Sequence, residues 1–65
     1  MQAAQKIIKE LQLRGMTKYK IAKATSSNWQ SVHYWEKGVF NPNVEKMRKL
    51  LDLYDEVVRK EAQDA

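Results

Sequence analysis

The sequence predicts an all-α chain, and three observations predict it. Apolar residues recur at spacings of three and four along the longer stretches, which places them on one face of a helix. Thr17, Ser27 or Asn28, and Asn43 each stand just before such a stretch, where a side-chain oxygen can cap the first turn. Gly15, Gly38 and Pro42 stand just after or between them, where a helix has to stop. With 65 residues there is room for one domain, residues 1–65, and a small core.

The first helix is expected from about Ala3 to Arg14, with Ala4, Ile7, Ile8 and Leu11 as its apolar stripe. Gly15 ends it and Met16 is expected to plug the core. Thr17 then caps a second helix in which Ile21, Ala22 and Thr25 face inward and Lys18, Lys20 and Lys23 stay outside. The small Ala22 sits where another helix can cross closely. Thr25-Ser26-Ser27-Asn28 breaks the pattern, because Ser and Asn side chains bond nearby backbone and compete with helix continuation.

A third helix follows at once, opened either by a Ser27/Gln30 capping box or by Asn28. Val32 and Trp35, three apart, face inward, and Gly38 is its stop. The segment from Val39 to Asn43 cannot be regular helix, since Pro42 disfavours α conformation at Asn41, and Phe40 is expected to pack as a lid on the core. The last helix runs from Val44 without interruption to about Ala62. Met47, Leu50, Leu51, Tyr54, Val57 and Val58 form one stripe of period near 3.5.

The third helix leaves Trp29, Gln30, Ser31, His33, Tyr34 and Lys37 outward, where a purely structural surface helix would more often carry Glu, Lys and Ala. Amide, imidazole and hydroxyl groups are the donors and acceptors that read base edges in the DNA major groove, and a helix-turn-helix unit presents its second helix there. The stretch 17–38 resembles the Cro and CI repressor-like helix-turn-helix family, also called the XRE family. The likeness is carried by Ile21-Ala22, by Val32, by Trp35-Glu36-Lys37-Gly38, and by Pro42 with the amphipathic run Val44 to Leu51; it covers roughly Leu11 to Tyr54.

The resemblance implies a four- to five-helix lambda-repressor-like domain, here with a long C-terminal helix at 44–62 where many members break into a fifth. Ser26 and Ser27 depart from it, standing where the family usually has Gly and then an apolar residue, and a slightly remodelled turn is expected there. Trp29 departs as well, standing where many members have Gln. In some relatives a basic residue of the first helix pairs with the Glu matched by Glu36. The aligned position here is Leu11, so that pair is not expected.

Charge is divided along the chain. Residues 1–49 hold ten Lys or Arg against three Glu, a net of +7, whereas residues 50–65 hold two against five Asp or Glu, a net of −3. A basic body suits a polyanion and an acidic end suits some other task. Cysteine is absent, so disulfides, cysteine-held zinc and catalytic thiols are excluded. His33 is the single histidine, with no carboxylate expected to orient it or share a metal, so no catalytic residues, metal or cofactor are expected. No apolar run reaches membrane-spanning length and no signal-peptide core is present, so a soluble protein of the bacterial cytoplasm is expected.

The expected function is sequence-specific binding of double-stranded DNA, at an inverted-repeat operator, by a small phage or prophage Cro-like repressor that occludes a promoter. Asn28, Trp29, Gln30, His33 and Tyr34 are the expected base-contacting residues. Lys18, Ser31, Lys37, Lys46 and Arg48 are the expected phosphate contacts, with Lys20 or Lys23 at the edge. A homodimer at least on DNA is expected through Tyr54, Val57 and Val58, because the last stripe outlasts the core it covers; the alternative is that the valines fold back on Ile7 or Ile8. No membrane partner and no small-molecule effector are expected. The competing functions are a protein-interaction module, such as an antitoxin or antirepressor, and a small activator or excision-control protein.

Overall fold

The computed structural model describes residues 3–64 and consists of α1 (Ala3–Leu13), α2 (Lys18–Ala24), α3 (Trp29–Lys37) and α4 (Val44–Asp64), with no strand among the described residues. The first three helices end in the same way. A residue turns left-handed, Gly15 at φ 92°, Ser26 at φ 56° and Gly38 at φ 77°. The next amide then donates five residues back: Met16 to the Leu11 carbonyl at 3.1 Å, Ser27 to Ala22 at 2.7 Å and Val39 to Tyr34 at 3.0 Å. Ser26 takes the left-handed conformation itself, at a cost of about 1 to 2 kcal/mol relative to a right-handed residue. The turn therefore closes around the serine itself.

The helix starts are capped by side chains. Thr17 accepts from the Lys20 amide at 3.2 Å, Asn28 from Ser31 at 2.7 Å and Asn43 from Lys46 at 2.8 Å. Of the two caps open for α3, Asn28 is the one used. The Ser27 hydroxyl turns back instead, 3.2 Å from the Thr25 hydroxyl and 3.3 Å from the Thr25 carbonyl.

Ala4, Ile8 and Leu11 of α1, Ile21 and Ala22 of α2, Val32 and Trp35 of α3 and Leu50 of α4 form the buried core. α1 and α2 each pack on both α3 and α4. Thr25 is the buried polar residue, and its hydroxyl donates to the Ile21 carbonyl at 2.8 Å, so it enters the core with its hydrogen bond made.

α4 is continuous over 21 residues, as its lack of Gly and Pro predicts, but its inward stripe differs from the expected one. Met47, Leu53, Tyr54 and Val57 pack around Leu50, whereas Leu51 is 47% exposed. The reason is rotational: at 3.6 residues per turn, positions 51 and 58 fall roughly 60 to 80° to one side of the line through 47, 50, 54 and 57. Tyr54 and Val57 thus cover this chain's own core beside Ile7, so the outlying apolar patch assigned to dimerisation shrinks to Val58. Arg14 fastens this end. Its side chain reaches Glu10 at 3.0 Å and Glu61 at 3.1 Å, and its guanidinium carbon lies 5.6 Å from the centre of the Tyr54 ring.

Phe40 is not a lid. It is 60% exposed and meets Tyr34 edge-on with ring centres 5.3 Å apart, because Gly38 turns the chain out past the exposed side of α3 while Trp35 already occupies the core.

Candidate nucleic-acid interface

Thr25 to Asn28 connect α2 to α3, and the bonds that close this turn fix how α3 leaves it. α3 then divides into two faces. Val32 and Trp35 anchor one in the core; Trp29, Gln30, His33, Tyr34 and Lys37 lie on the other or at its edge.

The outer side chains hold one another. Trp29 and His33, one turn apart, stack with ring centres at 5.0 Å and planes 9° apart. Gln30 and Tyr34, also one turn apart, bond from the Gln30 Nε2 to the Tyr34 hydroxyl at 3.0 Å. Phe40 then closes on Tyr34 from the following loop. Asn28 is exposed at the head of this surface, with its Oδ1 already committed as the cap. Ser31 is half-buried, one residue inside that cap.

Lys18 stands under this surface. Its Nζ lies 2.9 Å from His33 Nδ1, 3.3 Å from Glu36 Oε1 and 5.1 Å from the centre of the Trp29 ring. Glu36 therefore does have a basic partner, drawn from α2 where α1 offers only Leu11. Burial works against its charge, but hydrogen bonds from Gln12 and Lys18 and the positive charges of Lys18 and Lys37 outweigh that, and its carboxyl is held below the usual glutamate range. Lys18 was expected to lie outside and grip phosphate. It is partly buried, with its ammonium spent within the chain.

The other expected phosphate contacts are placed variously. Lys46 donates to the Thr25 carbonyl at 3.2 Å and to that of Ser26, tying the start of α4 to the α2–α3 turn. It lines an open groove with Ser26, Asn28, Ser31, Asn41 and Asn43, into which the capped starts of α3 and α4 both face. Lys37 and Arg48 are exposed and enter no ion pair among the described residues. Lys23 lies 5.3 Å from the centre of the Tyr19 ring.

Sequence reasoning missed the roles of Lys18, Glu36 and Phe40 at this surface. Lys18 and His33 are fifteen positions apart, so no local spacing links them. Among the described residues no group of three His, Asp or Glu is placed to hold a metal ion, and no helix is long and apolar enough to cross a membrane. The chain matches no family model, no curated protein and no solved structure.

Proposed function

We propose that this chain is a helix-turn-helix regulator of transcription that binds duplex DNA in a sequence-specific way through α3, acting as a Cro-like repressor by covering a promoter. The observation that carries this reading is the outer face of α3. It presents an indole, an amide, an imidazole and a phenol, held in place by one another and by Lys18, within the stretch 1–49 whose net charge is +7. Such groups match the donors and acceptors of the major groove, and Lys37, Arg48, Ser31 and the α3–α4 groove are suited to flanking phosphates.

The test is binding of a labelled duplex at rising salt. Affinity is expected to fall steeply, and Lys37→Ala to lower the slope of log K against log salt by about one. An affinity indifferent to salt would contradict the reading.

In this proposal the protein acts as a homodimer. Tyr54 and Val57 are spent on the core, which leaves the flank of α4 that carries Val44, Leu51 and Val58, with Val44 78% exposed. Basic Arg48 and acidic Asp52 and Asp55 lie along the same flank, so a second copy laid antiparallel would meet apolar with apolar and positive with negative. Leu51→Asp is expected to weaken cooperative binding to paired half-sites and leave folding intact; a variant that binds them as cooperatively as wild type would remove this surface from the model.

One observation favours a second reading. Val39 and Phe40 add exposed apolar surface beside Tyr34, which suits a protein partner better than a polyanion. Saturable protein capture with no duplex binding at low salt would favour that interaction module.

A further inference from the structure

The Lys18 to His33 contact has a direction. An ammonium has three N–H donors and no acceptor, so a bond to His33 Nδ1 at 2.9 Å requires the lone pair of that nitrogen. The proton of the neutral imidazole is then on Nε2. That atom makes no hydrogen bond among the described residues and is not buried without a partner, so it is open to solvent. The ring plane is fixed independently, by the stack on Trp29. Glu36, with Oε1 at 3.3 Å, is a second partner that holds the ammonium in place.

We infer that Lys18 is a positioning residue that locks His33 as its Nε2–H tautomer, so that His33 presents a hydrogen-bond donor and selects an acceptor on the base edge it meets. This rests on the DNA-binding reading for its target and on the α2–α3 geometry alone for the lock. In the major groove the acceptors are guanine N7 and O6, adenine N7 and thymine O4, and the cytosine amino group offers only a donor. His33 is therefore expected to favour guanine, through two adjacent acceptors, and to reject cytosine. An unlocked imidazole could turn either nitrogen outward and would discriminate less. Lys18 does this without touching the base.

The experiment is long-range proton–nitrogen NMR of the His33 ring in the free protein at about pH 8, on wild type, Lys18→Met and Lys18→Arg. The same three proteins are then put through selection from random duplexes. Wild type and Lys18→Arg, which keeps a donor-only side chain, are expected to show protonated Nε2 and unprotonated Nδ1. Lys18→Met is expected to shift toward averaged tautomers. It should also lose about 3- to 10-fold of the preference for guanine over cytosine at one position while keeping the preferences set by Gln30 and Tyr34.

A wild-type ring protonated at Nδ1, or averaged between tautomers, would overturn the lock even if the protein binds one DNA sequence specifically. An unchanged tautomer in Lys18→Met would do the same. A locked ring in a protein that binds no duplex would instead overturn the DNA reading and, with it, the base preference drawn here.

Discussion

Trp29 and Trp35 are the same side chain on one nine-residue helix, yet the first is 51% exposed and the second 6%. The inner tryptophan is held by volume: it fills space beside Leu11, Ile21 and Val32 in the core, where any loss leaves a cavity. The outer one is held by specific partners, the His33 ring stacked on it and the Lys18 ammonium, 5.1 Å from its ring centre and bonded to that same His33. One face of α3 thus answers to packing, while the other answers to directional contacts between exposed side chains.

The comparison is broken most sharply by exchanging each tryptophan for alanine. Trp35→Ala is expected to destabilise the fold by about 3 to 5 kcal/mol in thermal or urea unfolding. Trp29→Ala is expected to cost under about 1 kcal/mol of stability and yet to weaken duplex binding, since it unstacks His33. Equal stability losses would mean that the outer face is structural after all.

A smaller effect probes the turn that aims α3. Ser26 at φ 56° sits where a side chain is strained, and a β-branched residue suits that conformation least. Ser26→Val is expected to lower stability by about 1 to 2 kcal/mol, whereas Ser26→Gly should change it by less than about 1 kcal/mol in either direction. A valine tolerated without loss would show that the turn opens differently.

The smallest expected effect is on the acid limb of stability. The folded protein holds the Glu36 carboxyl below its unfolded value, so its contribution is present above about pH 4.3 and is lost as the pH falls through the lower folded value. Glu36→Gln should flatten that part of the pH–stability curve from urea melts between about pH 5 and 2. A curve unchanged by the substitution would remove Glu36 from the network under α3.

Much of the fold is legible in the sequence, because its punctuation is local. Gly15, Gly38, Thr17 and Asn43 mark helix ends through bonds to residues at most five positions away, and Ile21, Ala22, Val32 and Trp35 announce the core by spacing. Phe40 is not legible, because its burial depends on the direction in which Gly38 releases the chain. Nor is the choice of Leu53 over Leu51, since a stripe of period 3.5 and a straight helix of 3.6 diverge over 21 residues. The candidate site is legible in its membership and not in its wiring. Gln30, His33 and Tyr34 stand out as residue types, but the Lys18 link that orients His33 crosses between helices.

The central claim is that the outer face of α3 reads duplex DNA, and the most direct measurement is selection of bound sequences from random duplexes by wild type and Gln30→Ala. For wild type the account predicts an enriched motif, repeated as two inverted half-sites about 34 Å apart along the DNA. In Gln30→Ala one base position should relax, with a loss of about 1 to 3 kcal/mol on the preferred site and little change on unrelated DNA. No enrichment by wild type, or an equal loss on preferred and unrelated duplexes, would contradict it.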